Sequence, residues 1–441
     1  MAETGFAAVP DAPRYILANA TVPGVLLDAP DVEPDGEGLV RVDIAVADGR
    51  IAAIGPAGIF GGDAPRLDLG RGMVWPTFVD MHTHLDKGHI WPRMPNADGT
   101  FAGALTAVEA DRAASWNAED VRRRMDFSLR SAYAHGTSLV RTHLDSPAPQ
   151  HRISWPVFAE MRAEWAGRID LQAVSILGIE DFRDEDYAED LVATVAGHGG
   201  VLGAVTYMLP DLAELVEGVM RRAMDRRLDL DFHVDETDDP AATSLRLIAE
   251  TALRLRFPGR IVAGHCCSLA VQPSHEAEET MERVAEAGIA VVSLPMCNMY
   301  LQGRSAGRTP RWGGVTLVHE LMAHGVPLAI ASDNTRDPFY AYGDLDMLEV
   351  FREAVRILHL DHPISSWASL VARAPAGILR ADATHGMIGV GRTADLVLFR
   401  ARSWTELLAR PQADRTVIRS GRVIDRTLPD YRELDDLDGI G

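Results

Sequence analysis

The sequence is short of cysteine, of positive charge and of long apolar runs, and each shortage excludes something. Three cysteines cannot all pair with one another, and adjacent Cys266 and Cys267 argue against a disulfide framework, so we expect reduced, mostly buried thiols. The formal net charge of -21 at pH 7 argues against nucleic acid or an anionic membrane as a partner, because both attract basic surfaces. No apolar run approaches the roughly 20 residues that span a bilayer, and the N-terminus has no signal-peptide pattern. We therefore expect a cytoplasmic protein.

Alternating strand-like and helix-like segments indicate the fold class. Stretches rich in β-branched and aliphatic residues recur, each followed by a longer stretch rich in Ala, Glu and Arg, which is typical of βαβ units around a parallel sheet. Eight such strands favour an α/β fold with a (β/α)8 TIM-like barrel over an open sheet. The predicted strands are residues 73–84, 137–145, 169–177, 201–208, 228–235, 260–266, 288–295 and 325–333. Between them, helical apolar spacing predicts helices over 118–135 and 275–287.

Both ends of the chain predict a second, smaller unit. Residues 42–46 and 51–54, joined by a turn at Gly49, are typical of a β-hairpin. Residues 394–399 and 417–424 give matching strand-like segments near the other terminus. With 441 residues, 47% of them hydrophobic, the chain is long enough for one large domain and a small one. The predicted domains are a small β-sandwich from residues 1–72 plus 385–441 and a catalytic barrel from residues 73–384.

The motif His82-Thr83-His84, at the end of the first predicted strand, is the first candidate for a metal site. Side chains alternate faces along a strand, so the two imidazoles project from one side and can bind one ion. Alone, such a pair is weak, because two polar residues at a surface give the same pattern. Catalytic residues of such barrels lie at the C-terminal ends of the strands, however. Three further candidates lie at such ends, namely His233, His265 and Asp333.

Four of these residues predict a site for one catalytic ion. They offer three nitrogens and one oxygen to a divalent metal and leave room for a water molecule, as a catalytic site requires. Imidazole suits both zinc and iron, so the metal is zinc or iron. Such an ion lowers the pKa of bound water toward about 7 and so supplies a nucleophile at neutral pH. The predicted ligands are His82, His84, His233 and Asp333.

Hydrolysis at this site also requires groups that move protons. We expect Asp333 to accept the proton of the attacking water while it binds the metal. His265 lies at the end of the sixth strand, where it can hold the hydroxide or polarise the substrate. Glu236 follows His233 by three residues and can carry a proton to the ring nitrogen and the leaving group. The predicted catalytic residues are therefore Glu236, His265 and Asp333.

These residues, in this order, resemble the amidohydrolase superfamily, and within it the bacterial cytosine deaminases. The resemblance covers nearly the whole chain, including the β-sandwich formed by both ends. Beyond the pair of histidines, the matching segments are residues 141–145, 169–172, 233–239, 301–304 and 333–339. The resemblance implies the same four metal ligands, a proton-shuttling Glu236 and a catalytic His265.

The one lysine of the chain bears on the number of metal ions. Some related barrels bind two metals that are bridged by a carbamylated lysine at the end of the fourth strand. Here the fourth predicted strand, residues 201–208, contains no lysine, and Lys87 follows the first strand. The resemblance therefore implies a single divalent ion.

The chain departs from the cytosine deaminases at the substrate. There a glutamine just after the third strand contacts the pyrimidine amide, whereas the matching position here is Gly178. The aspartate after the metal-binding aspartate is replaced by Asn334, and a family tryptophan is replaced by Phe339. Loss of a buried amide leaves the polar edge of cytosine unsatisfied, so a larger or differently substituted ring becomes plausible. Candidate substrate-binding residues are Gly178, Asn334 and Phe101; Trp91, Tyr300 and Trp312 are further candidates for stacking on a ring.

The predicted function is metal-dependent hydrolytic deamination of a cytosine-like aminoheterocycle with release of ammonia. Deamination of a larger ring such as a pterin is an alternative. Lys87 and residues 332–337 resemble the N-isopropylammelide isopropylaminohydrolases, so release of an alkylamine from a triazine, or hydrolysis of a cyclic amide, stays open. Glu236 favours ammonia release, because that branch has no glutamate there. A non-catalytic scaffold would show a broken ligand set, which this chain does not. The expected partner is a small aminoheterocycle, and analogy with the family suggests a homo-oligomer.

Overall fold

The structure is a computed structural model, and it describes residues 6, 8–29 and 32–439. The described residues fall into two compact units. One consists of Met1–Asp80, Arg130–Leu139 and Asp346–Pro429, and the other of Met81–Leu129, Val140–Leu345 and Asp430–Gly441. The domain boundaries predicted from the sequence stay a prediction.

An eight-stranded sheet in the first unit takes strands from both ends of the chain. Seven of its strands are, in spatial order, Arg422–Val423, Thr416–Arg419, Leu396–Phe399, Met73–Pro76, Arg14–Pro23, Leu39–Ala47 and Arg50–Pro56; the eighth, Arg66–Asp68, pairs with Arg14–Pro23. The predicted hairpin turns at Asp48 and Gly49, whose φ angles are +51° and +79°. Two positive φ angles give the tight turn that matches the twist of paired strands. Leu27–Asp28 and Ile388–Gly389 form a separate parallel pair.

Alternate residues of this sheet form a hydrophobic core. Leu17 and Ile44 from the N-terminal strands, and Leu396 and Ile418 from the C-terminal strands, are fully buried in one cluster. Inward-facing apolar side chains at period two are what bury one face of a sheet. The cluster therefore joins apolar residues from opposite ends of the chain.

The strands that carry the candidate site lie in two smaller sheets. Phe78–Thr83, Thr137–Asp145 and Asp170–Ile176 form a three-stranded sheet in that order. Leu230–Val234, Ile261–His265, Ala290–Ser293 and Leu328–Ile330 form a four-stranded parallel sheet in that order.

Parallel bridges continue the pairing beyond these two sheets. Val201 bridges to Val174, and Leu202 bridges to Leu230, so residues 201–205 lie between the third and fifth predicted strands. Thr83 bridges to Asp333, after the end of the last strand. Consecutive strands of the sequence are thus neighbours in space, and the first is a neighbour of the last.

Helices follow most of the strands, as the sequence predicts. The α-helices are Phe101–Ser115, Ala118–His135, His151–Glu164, Glu185–Gly197, Leu212–Arg226, Ser244–Leu255, Ser274–Glu286, Pro295–Leu301, Val318–Ala323, Met347–Ile357, Arg373–Ile378, Trp404–Ala409 and Asp435–Asp438, and the 3-10 helices are Gly24–Leu26, Ile179–Arg183, Cys267–Ala270, Ser365–Val371 and Tyr431–Leu434. The helix predicted over 118–135 is confirmed, and the one predicted over 275–287 is displaced by one residue. Among the described residues, no helix combines the length and the apolar character needed to cross a bilayer.

Two of the eight predicted barrel strands are not continuous in the structure. The first, residues 73–84, is interrupted at Thr77: Met73–Pro76 pairs with Leu396–Phe399, and a separate strand begins at Phe78. The fourth, residues 201–208, forms only isolated bridges. There the Ser175 hydroxyl accepts a hydrogen bond from Gly203 N–H and donates one to Gly203 O, at 3.0 and 3.1 Å, which interrupts the backbone ladder.

Candidate metal centre and active site

The predicted metal ligands lie at neighbouring strand ends. His82 is the fifth residue of Phe78–Thr83, and His84 follows that strand directly. His233 belongs to Leu230–Val234, and Asp333 follows Leu328–Ile330 by three residues. All four side chains are buried. The rule that catalytic residues lie at strand ends therefore identified residues that are close in space although His82 and Asp333 are 251 positions apart in the sequence.

Four atoms of these side chains converge on one point. His233 Nε2 lies 3.2 Å from His82 Nε2 and 3.4 Å from His84 Nε2. Asp333 Oδ1 lies 3.2 Å from His84 Nε2 and 3.6 Å from His82 Nε2. Ligands bound at about 2.0–2.1 Å around a tetrahedral ion lie about 3.4 Å apart. The spacing of the four atoms thus fits a single divalent metal ion.

Two further groupings include neighbouring histidines. His143 joins His82 and His233, and His265 joins His82 and Asp333, each within 4.8 Å. Neither grouping contains His84, although its Nε2 lies 3.4 Å from His233 Nε2 and 3.2 Å from Asp333 Oδ1. The ligand set His82, His84, His233 and Asp333 stays a prediction.

The electrostatic environment keeps the histidine ligands neutral. Burial lowers the pKa of His82, His84 and His233 well below the ordinary value, and the neighbouring histidines lower it further. A neutral imidazole has a lone pair on one ring nitrogen, which is the form that binds a metal. The three rings are therefore ready to bind an ion at neutral pH.

The backbone turns sharply at two of the site residues. His265 and Asp333 have φ angles of +70° and +66°, in the left-handed region that residues with a Cβ rarely adopt. Such conformations cost about 1–3 kcal/mol each and persist where the surrounding structure holds them. Thr83 supports Asp333 by donating from its hydroxyl to the Asp333 carbonyl at 2.7 Å.

Glu236, His265 and Asn298 form a hydrogen-bonded group beside the ligands. The Asn298 amide donates to Glu236 Oε1 at 3.1 Å and to His265 Nδ1 at 2.9 Å. A nitrogen that accepts has no proton, so the proton of the neutral His265 ring lies on Nε2. His265 Nε2 is buried and has no hydrogen-bond partner among the described residues. Burial raises the pKa of Glu236 well above its ordinary value, and Asp333 raises it further. A protonated Glu236 can donate a proton.

His143 packs against the ring of His82, and Asp231 lies beside His143. The His82 and His143 rings lie 3.9 Å apart between centroids, at 37°. His143 Nε2 lies 3.4 Å from Asp231 Oδ1, and Arg141 pairs with Asp231 Oδ2 at 3.0 Å. These contacts orient one ligand and balance the buried charge of Asp231, as residues around a metal site commonly do.

The site opens into a cavity of about 270 Å³ that the predicted substrate-binding residues line. Gly178, Asn334 and Phe101 all face it, together with His84, His233, Glu236, His265 and Asp333. A wider cavity of about 630 Å³ shares Phe101, His233 and Glu236 with it. These volumes are typical of sites for small molecules. The predicted substrate-binding residues and three of the four predicted metal ligands, His84, His233 and Asp333, therefore line one cavity.

The individual substrate-binding candidates differ in what they offer. The Asn334 amide donates to Asp337 at 2.8 Å, which fixes its orientation. Phe101 and Phe339 lie 5.4 Å apart between ring centroids, and Lys87 Nζ lies 4.4 Å from the Phe339 ring.

Of the other aromatic candidates for stacking on a ring, Trp312 lines the wider cavity. Among the described residues, Trp91 and Tyr300 line neither of these two cavities.

Sequence reasoning missed Asn298 and Glu180. Asn298 follows the seventh strand, so the strand-end rule could have found it there. Glu180 lies in the 3-10 helix Ile179–Arg183 and lines the smaller cavity, two residues after Gly178. A glycine at a position that has an amide in a resembling family is a signal that another side chain fills the space. The prediction of buried thiols is confirmed, since Cys266, Cys267 and Cys297 are all buried.

The chain is similar to known proteins both in sequence and in structure. The model of the amidohydrolase family matches residues 183–425. The chain is 58% identical over 435 residues to a pterin deaminase of Rhizobium rhizogenes, covering 98% of this chain and 99% of that protein. It is 26% identical over 402 residues to the N-isopropylammelide isopropyl amidohydrolase of Pseudomonas sp. strain ADP, covering 87% and 93%. The structure of 5-methylcytosine deaminase from Klebsiella pneumoniae, liganded with 5-fluorocytosine, matches with a TM-score of 0.80, 26% identity and coverage of 93% and 97%.

The site and these similarities define a hydrolase that acts on carbon–nitrogen bonds other than peptide bonds, and within that class a hydrolytic deaminase. The chain belongs to the amidohydrolase family. Its fold is of the α/β type found in that family. The family and the cluster of histidines and aspartate support a bound divalent metal.

Proposed function

We propose that this protein deaminates a pterin-type aminoheterocycle, replacing the amino group on the pyrimidine ring by a carbonyl oxygen. The observation that carries the proposal is the 58% identity, over 98% of the chain, to a protein named pterin deaminase. Gly178 supports it, because this cavity-lining position lacks the glutamine that contacts the pyrimidine amide in the cytosine deaminases. We therefore propose a larger ring such as a pterin as the substrate, in place of the cytosine-like ring expected from the sequence.

The donor set fits one divalent ion, zinc or iron, bound by His82, His84, His233 and Asp333. Three neutral imidazoles and one carboxylate are ligands that both metals accept. When bound, the metal activates water for attack on the ring carbon that bears the amino group. Water adds its oxygen to that carbon, the carbon–nitrogen bond breaks, and ammonia leaves with the second proton.

The side chains of the protein move the protons of this reaction. Asp333 accepts a proton from the attacking water. Glu236, buried and protonated, donates its proton to the ring nitrogen, and the two protons of the attacking water then convert the departing amine to ammonia and restore Glu236. His265 directs its Nε2–H toward the developing oxygen, with Asn298 holding the opposite ring nitrogen.

We also propose a closed (β/α)8 barrel and a small β-sandwich domain. The bridge between Thr83 and Asp333 and those at Val201 and Leu202 support a closed (β/α)8 barrel. The shared core of the eight-stranded sheet supports a small domain built from residues 1–72 plus 385–441 and a separate barrel domain of residues 73–384. A closed barrel places all the predicted ligands at one rim, where barrel enzymes have their active sites.

Ammonia release by the purified, metal-loaded protein tests the proposed function. The panel comprises pterin, cytosine, 5-methylcytosine, isoguanine and an N-isopropylamino triazine, with ammonia and isopropylamine measured separately. We expect ammonia from pterin, with the 2,4-dioxopteridine formed in equal amount, and a kcat/KM for pterin above that for cytosine. Isopropylamine release as the main activity, or no turnover of pterin by protein that contains metal, would contradict the proposal.

A further inference from the structure

The space beside Gly178 is occupied by the carboxylate of Glu180. A Cβ atom added to Gly178 would lie 2.7 Å from Glu180 Cδ and Oε2 and 2.8 Å from Oε1. Such distances are shorter than any ordinary contact of a Cβ atom, so the carboxylate can occupy this place only because residue 178 is glycine. Gly178 has a φ of -62°, which a residue with a side chain adopts freely. The glycine is therefore needed for space and not for backbone conformation.

The Glu180 carboxylate is available to a ligand. Its Oε2 atom is buried and has no hydrogen-bond partner among the described residues. Glu180 lines the cavity that also contains Glu236, His265 and the metal ligands. A buried acceptor without a partner costs about 1–3 kcal/mol, and a bound molecule with a donor at that place removes the cost.

The charges around Glu180 leave it free for this role. The cationic side chain of Arg112, which lines the same cavity, pairs with Asp145 at 2.7 Å. Glu109 and Asp181 also line the cavity and make this end of it acidic. A donor on a neutral or cationic ring is therefore favoured here over an anionic group.

We propose that Glu180 is a specificity-determining residue. Its carboxylate, which lies in the space that Gly178 leaves open, accepts a hydrogen bond from an N–H group of the heterocycle. The inference rests on the proposed function and deepens it. A glutamine, which the cytosine deaminases have after the third strand, donates as well as accepts, whereas an ionised carboxylate only accepts. The substrates selected are therefore aminoheterocycles that present an N–H donor at this edge, and rings that present a bare carbonyl or ring nitrogen there are disfavoured.

Two substitutions at Glu180 test the hydrogen bond. Glu180→Gln keeps the shape and removes the charge, and Glu180→Ala removes the acceptor. We expect each to lower kcat/KM for pterin by about 10- to 100-fold, mainly through KM, because the bond forms in the bound substrate as well as in the transition state. Glu189→Gln is the matched control: Glu189 is exposed, pairs with Arg226 and should leave kcat/KM unchanged.

A double-mutant cycle tests the geometry. Gly178→Ala should lower kcat/KM by at least tenfold in the wild-type background, because the new methyl group displaces the Glu180 carboxylate. In the Glu180→Ala background the same change should have less than a twofold effect. Equal losses in both backgrounds, or Glu180 variants within twofold of wild type, would overturn the inference.

Binding without turnover separates this inference from the proposed function. The dissociation constant of pterin is measured by its fluorescence with metal-loaded Glu236→Gln protein, with and without Glu180→Gln. Weakening by tenfold or more supports the role of Glu180 even if the wild-type enzyme releases no ammonia from pterin. Equal binding to both proteins overturns the role of Glu180 even if the wild-type enzyme is active. Absence of binding to either overturns both proposals.

Discussion

Replacing Asn298 by leucine tests whether the Glu236–His265 pair works as the hydrogen bonds suggest. Asn298 is buried, and its amide donates to both Glu236 Oε1 and His265 Nδ1. Leucine has the same branched shape and no polar atom, so the change removes both hydrogen bonds while its larger methyl groups keep the position filled. Asn298 does not line the smaller cavity, so any effect on the reaction passes through the two residues that it holds.

The magnitude follows from the two groups that lose a donor. A buried acceptor deprived of its partner costs about 1–3 kcal/mol. His265 can then rotate or move its proton to Nδ1, which removes the donor that faces the reacting oxygen. Loss of one such donor lowers kcat by about 10² to 10³-fold in other enzymes. We expect a loss in kcat of about 10²-fold, equal to about 2.7 kcal/mol, with little change in KM.

The assay measures ammonia release and metal content on the same samples. Asn298→Asp is the second variant: its carboxylate accepts from His265 Nδ1–H and leaves Nε2 without a proton, so we expect a loss at least as large. Asn117→Ala is the control. Asn117 is exposed, and its side-chain oxygen caps the helix Ala118–His135 by accepting hydrogen bonds from the backbone N–H groups of Glu119 and Asp120. It should lower thermal stability by about 1 kcal/mol and leave kcat unchanged. A folded, metal-loaded Asn298→Leu protein with kcat within threefold of wild type would refute the reasoning.

Two further predictions concern stability. Burial would raise the pKa of Asp346, but Arg415, bound through two hydrogen bonds of 2.7 and 2.6 Å, lowers it below its ordinary value. The stabilisation from this ion pair is therefore fully present at pH values above the ordinary carboxyl pKa of about 4, and it is lost as the pH falls through the lowered pKa of Asp346. Asp346→Asn should cost about 3–5 kcal/mol in urea unfolding at pH 7, with a smaller difference near pH 3; a difference independent of pH would contradict this. Gly203→Ala adds a Cβ 2.2 Å from the Asp231 carbonyl oxygen, so we expect a loss of about 1–3 kcal/mol, and an unchanged unfolding midpoint would show that the backbone there relaxes freely.

The sequence predicted where the candidate ligands lie, because their positions follow one rule. His82, His233 and Asp333 each lie at the end of an apolar segment, and parallel strands bring such ends to one edge. The rule needs only the order of apolar segments, which composition reveals. The rule does not depend on the exact strand bounds, so it holds although the observed strands Leu230–Val234 and Leu328–Ile330 are shorter than the predicted ones.

What the sequence could not predict depends on contacts between segments that are distant in the chain. The apolar run from Met73 indicates burial, but not that Met73–Pro76 pairs with Leu396–Phe399 and that a new strand begins at Phe78. Likewise, Glu180 follows its strand among other acidic residues, and its place above Gly178 is set by the 3-10 helix Ile179–Arg183. Local composition does not specify either contact.

The most direct test of the central claim is ammonia release from pterin by wild-type and Glu236→Gln proteins whose metal content is measured in the same preparation. We expect about one zinc or iron ion per chain in both proteins, with turnover in the wild type and a loss of kcat of about 10²-fold or more in the variant. Full activity of the variant, or a wild-type protein that contains metal and releases no ammonia from pterin, would contradict it.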